Sequence, residues 1–256
     1  MKQLKLTVLL VGAFVLSACN LVTVEEEKQL SLASEGIELL SLDLDEGDVE
    51  VIGESAREQI DVIALVTAVA ETEEEAIDFK DVNTEITLEN EDGTAYLRTR
   101  VNSRSDTATE ARIHVTVFVP ETLDIDMKKD AGYSEMSNIA GHVAINDGVG
   151  DISLREVTGD VTITDGEGAI DIQQVSGHMT IHTNQGRLTI EEVTGDLTII
   201  AGSGDVYVRA VDGSVSVRSG AGDIDIDDVS HDVKILENSN GEVRIENIEG
   251  SVIENE

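Results

Sequence analysis

Glycine returns every nine residues through the second half of this chain, at 141, 150, 159, 168, 177, 186, 195, 204, 213 and 222. A fixed interval of this kind is the mark of a repeat architecture. The apolar residues show that the true unit is eighteen. Val157, Val175, Val193, Val211 and Val229 recur once per two glycines. Each unit holds two short alternating runs. Val161 and Ile163 are paired with Ile170 and Ile172, then Met179 and Ile181 with Leu188 and Ile190. Leu197/Ile199 with Val206/Val208, and Val215/Val217 with Ile224/Ile226, continue the series. A lone two-strand unit cannot bury its apolar face, but stacked units bury one continuous core. The pattern therefore predicts a single-stranded β-solenoid of 18-residue coils, with neighbouring coils about 4.8 Å apart. The competing readings are a polar tract that never folds and an ordinary β-sandwich. Constant phase over five units, with branched apolar residues kept inward, speaks against the first.

The corners show in a second column. Gly148, Gly166, Asn184, Gly202 and Gly220 are residue types that accept positive φ, so each coil is expected to place a left-handed residue there. Gly150, Gly168, Gly186, Gly204 and Gly222, two positions later, would serve the same corner or let coils approach closely. The phase slips once. Gly241 and Gly250 each stand one residue late, which places an insertion near 238–240, to be absorbed by a bulge or a longer corner. Upstream, Ile125, Met127, Gly132, Met136 and Ile139 keep the same columns, so the solenoid is expected from residue 123 to 256.

Residues 37–122 read as an irregular β-rich region that caps the solenoid. "LSLDLDEGDVEVIG" alternates either side of Glu46-Gly47, "DVIALVTAVA" is more continuous, and "ITLENEDGTAYLRTRV" reads as a hairpin turning at Asp92-Gly93. "ETEEEAIDFKDV" fits either a short helix or a solvated connection. "RIHVTVFVP" alternates until Pro120, which has no N–H to give a ladder.

Residues 1–18 form a signal peptide: Lys2 and Lys5, an apolar run from Leu6 to Leu16, then Ser17-Ala18. That run is too short to read as a membrane span. "LSAC" resembles the bacterial lipobox, which implies that Cys19, the only cysteine, becomes the lipidated (palmitate-bearing) N-terminus. The membrane would then be a partner through that lipid. Residues 19–36 are expected to be the lipidated tether. The implied location is the cell envelope, outside the cytoplasmic membrane. Asn20, rather than aspartate, favours the outer membrane where there are two.

The chain is acidic, with 53 Asp and Glu against 17 Lys and Arg, a net charge of −36. Nucleic acid is therefore excluded as a partner. Outward residues stack in columns as well. Thr162, Thr180, Thr198 and Ser216 form a hydroxyl ladder ending at Lys234, and Glu191, Arg209 and Asp227 alternate in sign. His178 and His182, in "HMTIH", point out of a strand about 13 Å apart and cannot share a metal. His178 instead lies between Asp160 and Asp196, which would favour its charged form. His114 stands alone on its strand. The calcium β-roll signature is broken: "GSGDVYV" and "GAGDIDI" lack the double glycine, and Ile224 sits where a ligand aspartate belongs. Weak divalent-cation binding by Asp205, Asp223, Asp225, Asp227 and Glu242 is the remaining expectation. No metal ligand set, cofactor site or catalytic residue can be assigned.

"GDVEVIG", "IHVTVFVP", "GVGDISL", "GDVTI", "GSGDVYV" and "GAGDIDI" together resemble the bacterial putative-adhesin family, a domain of unknown function built of repeated G-D-[IV]-x-[IV] strands. The likeness covers about residues 37–252. It implies a β-solenoid at the cell envelope and supplies no catalytic residues. The reading is thus a non-catalytic envelope lipoprotein, adhesin-like or a scaffold, with an envelope protein or glycan as partner. The alternative is a surface enzyme acting on envelope or extracellular glycans.

Overall fold

A computed structural model describes residues 7–9, 21–102 and 109–255. The first half runs β1 (Thr7–Leu9), β2 (Val22–Ala33), β3 (Leu39–Glu46), β4 (Val49–Glu54), β5 (Gln59–Ala70), α1 (Glu73–Asn83), β6 (Thr84–Glu91), β7 (Thr94–Val101) and β8 (Glu110–Pro120). The repeats follow as β9 (Asp124–Ala131), β10 (Ser134–Ile139), β11 (Val143–Val149), β12 (Ile152–Thr158), β13 (Val161–Glu167), β14 (Ile170–Ser176), β15 (Met179–Gln185) and β16 (Leu188–Thr194). They end as β17 (Leu197–Ser203), β18 (Val206–Asp212), β19 (Val215–Ala221), β20 (Ile224–Val229), β21 (Val233–Asn238), β22 (Val243–Ile248) and β23 (Val252–Glu254).

The fold is the expected all-β solenoid. Odd-numbered repeat strands from β9 to β23 build one parallel sheet, and even-numbered strands from β10 to β22 build the other. Pairing runs at the 18-residue offset, as in Ile163↔Ile181 and Ile172↔Ile190. Two inward residues per run and the Val157-type residue form one continuous core across both sheets. Large rings are scarce, so stacked Ile, Leu and Val carry it, each fully buried side chain contributing roughly 1.5–3 kcal/mol.

The coil begins earlier than residue 123. β3 pairs in parallel with β9, and β4 with β10, so residues 39–54 make a coil in the same columns. β7 and β8 then stack on the far side of that coil, β7 on β3 and β8 on β4. The chain thus inserts its first coil between two later ones. The turn at Glu46-Gly47 is a solenoid corner between the two sheets. Only local spacing was legible in 37–119, and pairing over such separations leaves no period to read.

Antiparallel strands close this end. β6 pairs with β7 through a turn at Asp92 and Gly93, both at positive φ (50° and 86°). β5 pairs with β8, and β2 with β5. Residues 22–33, expected as tether, are therefore a twelve-residue strand. Its alternation is blurred by Glu25–Glu26–Glu27, and its register is set by β5. "ETEEEAIDFKDV" is helical: Thr72 caps α1 by accepting the Glu75 N–H, and Ala76 and Lys80 face inward. The Lys80 ammonium meets Glu26 of β2 at 2.6 Å, which pins the helix across the sheet end.

Candidate functional site

The corners differ from expectation in an instructive way. Gly150, Gly186, Gly204 and Gly222 have positive φ, between 119° and 149°; Gly148, Gly166, Asn184, Gly202 and Gly220 do not, nor does Gly168. The left-handed column lies elsewhere, at Asn138, Glu156, Gln174, Glu192, Ala210, Asp228 and Asn247, with φ between 53° and 61°. There the strand kinks so that both Ile172 and Val175 turn inward. None of these residues is glycine, so composition hid the column. The glycines answer crowding: a Cβ on Gly168 would lie 1.9 Å from the Gly150 carbonyl oxygen, and one on Gly166 would lie 2.2 Å from that of Gly148. The late-chain insertion is also displaced. Val217 pairs with Ile235 but Arg218 with Glu237, so Leu236 is the bulged residue, not 238–240. A bulge inside the strand gives the same downstream phase as a longer corner.

The aspartate of each G-D pair has a definite role. Asp160 Oδ1 accepts the His178 N–H at 2.9 Å, and Asp196 Oδ1 accepts that of Ser214 at 2.9 Å. Histidine fills the same role through Nδ1: His142 accepts from Asp160 N–H at 3.0 Å, and His178 from Asp196 N–H at 3.2 Å. Each corner thus caps an amide one coil further on. His178 does stand between the two aspartates, but its Nδ1 accepts from backbone and the Asp196 carboxylate is 3.8 Å away. His182 is exposed on β15 and apart from it. At the opposite corner Asp151, Asp205 and Asp223 accept from residues 169, 223 and 242.

The two faces separate by chemistry. On the even-numbered sheet, charges alternate: Arg209 lies 3.6 Å from Asp227, and Arg244 lies 3.9 Å from Asp225. Arg187 stacks over the Tyr207 ring at 5.5 Å, beside a shallow groove of about 290 Å³. Asp225, Asp227, Asp205 and Asp223 are thus engaged by arginines or amides. Among the described residues, no group of three His, Cys, Asp or Glu side chains is placed to hold a metal ion, so the expected weak cation binding has no preformed site. On the odd-numbered sheet, the second, fourth and sixth residues of each strand from β11 to β19 point outward. Thr162, Thr180, Thr198, Ser216 and Lys234 are direct neighbours. Beside them run Asn146, Thr164, His182, Ile200 and Arg218. From β11 to β19 no outward position between the corners carries a carboxylate.

A second groove, of about 380 Å³, lies where β5 and β8 meet the first coils. His114, read from sequence as isolated, stands with its Nδ1 3.0 Å from the Asp48 carboxylate. Tyr133, Glu135, Ile63 and Leu65 complete the walls. Burial pushes the Tyr133 hydroxyl above its ordinary range. The β4/β8 pairing that assembles this groove is invisible in sequence.

Sequence reading also missed a polar string inside the core. The inward column after Met127 and Ile145 reads Lys129, Asp147, Asp165, Thr183, Ala201 and Ser219, all buried. Lys129 and Asp147 are 3.5 Å apart, and the Ser134 and Thr183 hydroxyls donate to Asp147 and Asp165. Burial pushes the Asp165 carboxyl up to about 6. Burial likewise raises Asp147 and lowers Lys129, each opposed by its partner's charge. The signal was available: inward alternation runs one residue past each apolar pair.

Cys19 lies outside the described residues, and no helix among them is long and apolar enough to cross a membrane. No curated protein shows significant similarity to the chain. Three solved structures are similar in outline. A "putative adhesin" from Bacteroides fragilis NCTC 9343 is 13% identical with a TM-score of 0.39, over 93% of this chain and 98% of that one. A "putative cell adhesion protein" from Clostridium sporogenes ATCC 15579 is 13% identical at 0.29, over 90% and 98%. A "putative lipid binding protein" from Parabacteroides distasonis ATCC 8503 is 12% identical at 0.43, over 91% and 97%. None of these likenesses carries a function across. The Toastrack DUF4097 family profile matches residues 37–254, which takes in the inserted first coil, the antiparallel cap apart from β2, and every repeat: the chain belongs to the Toastrack DUF4097 family.

Proposed function

We propose that this chain is a non-catalytic interaction module of the cell envelope, lipid-anchored through Cys19 and presenting rigid solenoid faces to an envelope protein or glycan. One observation carries the reading. Outward side chains repeat in columns along two long sheets, one charged and one free of outward carboxylates from β11 to β19 between its corners, rather than converging on one cleft. Such surfaces recognise extended partners by repetition. The anchor and the binding role are tested separately. Mass spectrometry of the mature N-terminus should find acyl groups on Cys19, and an unmodified cysteine removes the anchor. Purified protein should co-sediment with isolated envelope, and Arg187→Glu with Tyr207→Ala should weaken that on the charged face. Absence of any co-sedimentation overturns the module.

The glycan-processing alternative has one supporting observation, the His114–Asp48 pair in a groove with Tyr133 and Glu135. It predicts turnover of envelope glycans that His114→Ala abolishes. No turnover by the wild type removes it.

A further inference from the structure

We infer that the carboxylate-free face of the odd-numbered sheet, from β11 to β19, is where a second copy of this chain docks, face to face about a two-fold axis through β15. Charge selects the occupant. Two chains of net charge −36 repel over most of their surfaces. At physiological salt the reach of that repulsion is about 8 Å, so a contact senses mainly the charges it covers. Between its corners this face holds one full charge, Arg218, already paired with Glu237 at 3.8 Å. It offers no free cation to a polyanion, and nothing in it repels its own copy. The acids around it are Asp126 and Asp130 of β9, Glu237 of β21, and Glu167, Asp160 and Asp196 at the corners, and they form a polar rim.

Area and shape agree. Seven-residue strands about 23 Å long, their corner residues included, five of them at about 4.8 Å, give about 550 Å² per copy. A pair buries about 1,100 Å², just above the roughly 1,000 Å² that a specific interface must clear, so a weak dimer follows. The two-fold sets β11 of one copy against β19 of the other and β13 against β17. Ile200, 39% exposed, is then covered by the Thr164 region of its mate. Small side chains along Thr162, Thr180, Thr198 and Ser216 allow the flat approach of packed sheets. The inference is independent of lipid anchoring and of any envelope partner.

Sedimentation velocity of the full chain in mild detergent, over a concentration series, tests it. The wild type should shift from monomer to dimer, more readily as salt screens the residual repulsion. Thr180→Asp with Thr198→Asp places four carboxylates in the contact and should weaken association by at least about tenfold. Thr189→Asp, on the other sheet, should leave it unchanged. Circular dichroism checks that each variant is folded. A nitroxide at His182→Cys, in a Cys19→Ser background, should report one intermolecular distance on the order of 10–20 Å, since packed sheets lie about 10 Å apart. A wild type that stays monomeric overturns the inference, even if a neutral glycan then protects the face. So does a dimer that only Thr189→Asp breaks, or one with no short 182–182 distance.

Discussion

Asp160 shows what a single outward carboxylate does here. Its Oδ1 holds the His178 amide of the next coil, where no strand partner reaches. Asp160→Ala should lower stability by about 1 kcal/mol, while Asp160→Asn, which keeps the acceptor, should lose less. Thermal melts of both variants check this. Asp165 is the opposite case, a carboxylate that folding places out of water. Its folded-state value of about 6 lies above the usual 3.8, so between those values the folded chain keeps a proton that the unfolded chain has released. The stability from this group is full below about pH 4 and is lost as pH rises through 6. The difference is about 3 kcal/mol at 1.36 kcal/mol per unit. Asp165→Asn should raise stability at pH 7–8 by up to that amount. It should also flatten the slope between pH 4 and 6 relative to wild type. An unchanged slope would mean that Asp165 is hydrated in solution.

At the scale of the element, the coil is the unit and the strand is not. Each coil contributes one strand to each sheet and one kink at a residue with positive φ, such as Ala210 at 55°. That conformation costs an L-residue roughly 1–2 kcal/mol, which the inward turn of both Val208 and Val211 offsets. Deleting 177–194 removes one complete coil and joins Ser176 to Gly195 in phase. The product should fold, with melting slightly lowered, because each coil touches only its neighbours. Deleting 177–185 removes half a coil, swaps the sheets and brings outward residues inward. Circular dichroism should show it unfolded. Equal behaviour of the two deletions would contradict the columnar core.

Over the whole molecule, the two ends of the solenoid are unlike. At one end β2, β5 and β6 turn the sheets antiparallel, and α1 lies across them with Lys80 on Glu26. A separate cluster of Val24, Ala68, Ala70, Ala76 and Ala111 fastens helix to strands. Removing residues 21–35 would strip β2, uncover the edge of β5 and open that cluster. The truncated protein should self-associate through the edge and melt at lower temperature. Size-exclusion chromatography distinguishes this from the two-fold dimer, because Thr180→Asp with Thr198→Asp would not reverse it.

The sequence alone determined the repeat: its length, its inward columns, and the stacking of Thr162 on Thr180 on Thr198. These follow because a coil that stacks on its copy must repeat its side chains at constant spacing. Pro120 at a strand end and the Asp92-Gly93 turn were legible for the same local reason. Only the tertiary structure decided the insertion of β3 and β4 between later coils, the cap, and the His114 groove. Each depends on pairing between segments far apart in the chain, which leaves no period behind. It also decided which residues take positive φ and which carboxylates lie inside. Those choices rest on carbonyl crowding between coils and on where the core runs out of apolar residues. The acid-free face needed both: the columns were in the sequence, but only the alternation of strands between two sheets left the acids of β11–β19 on that sheet inside the core or at the corners.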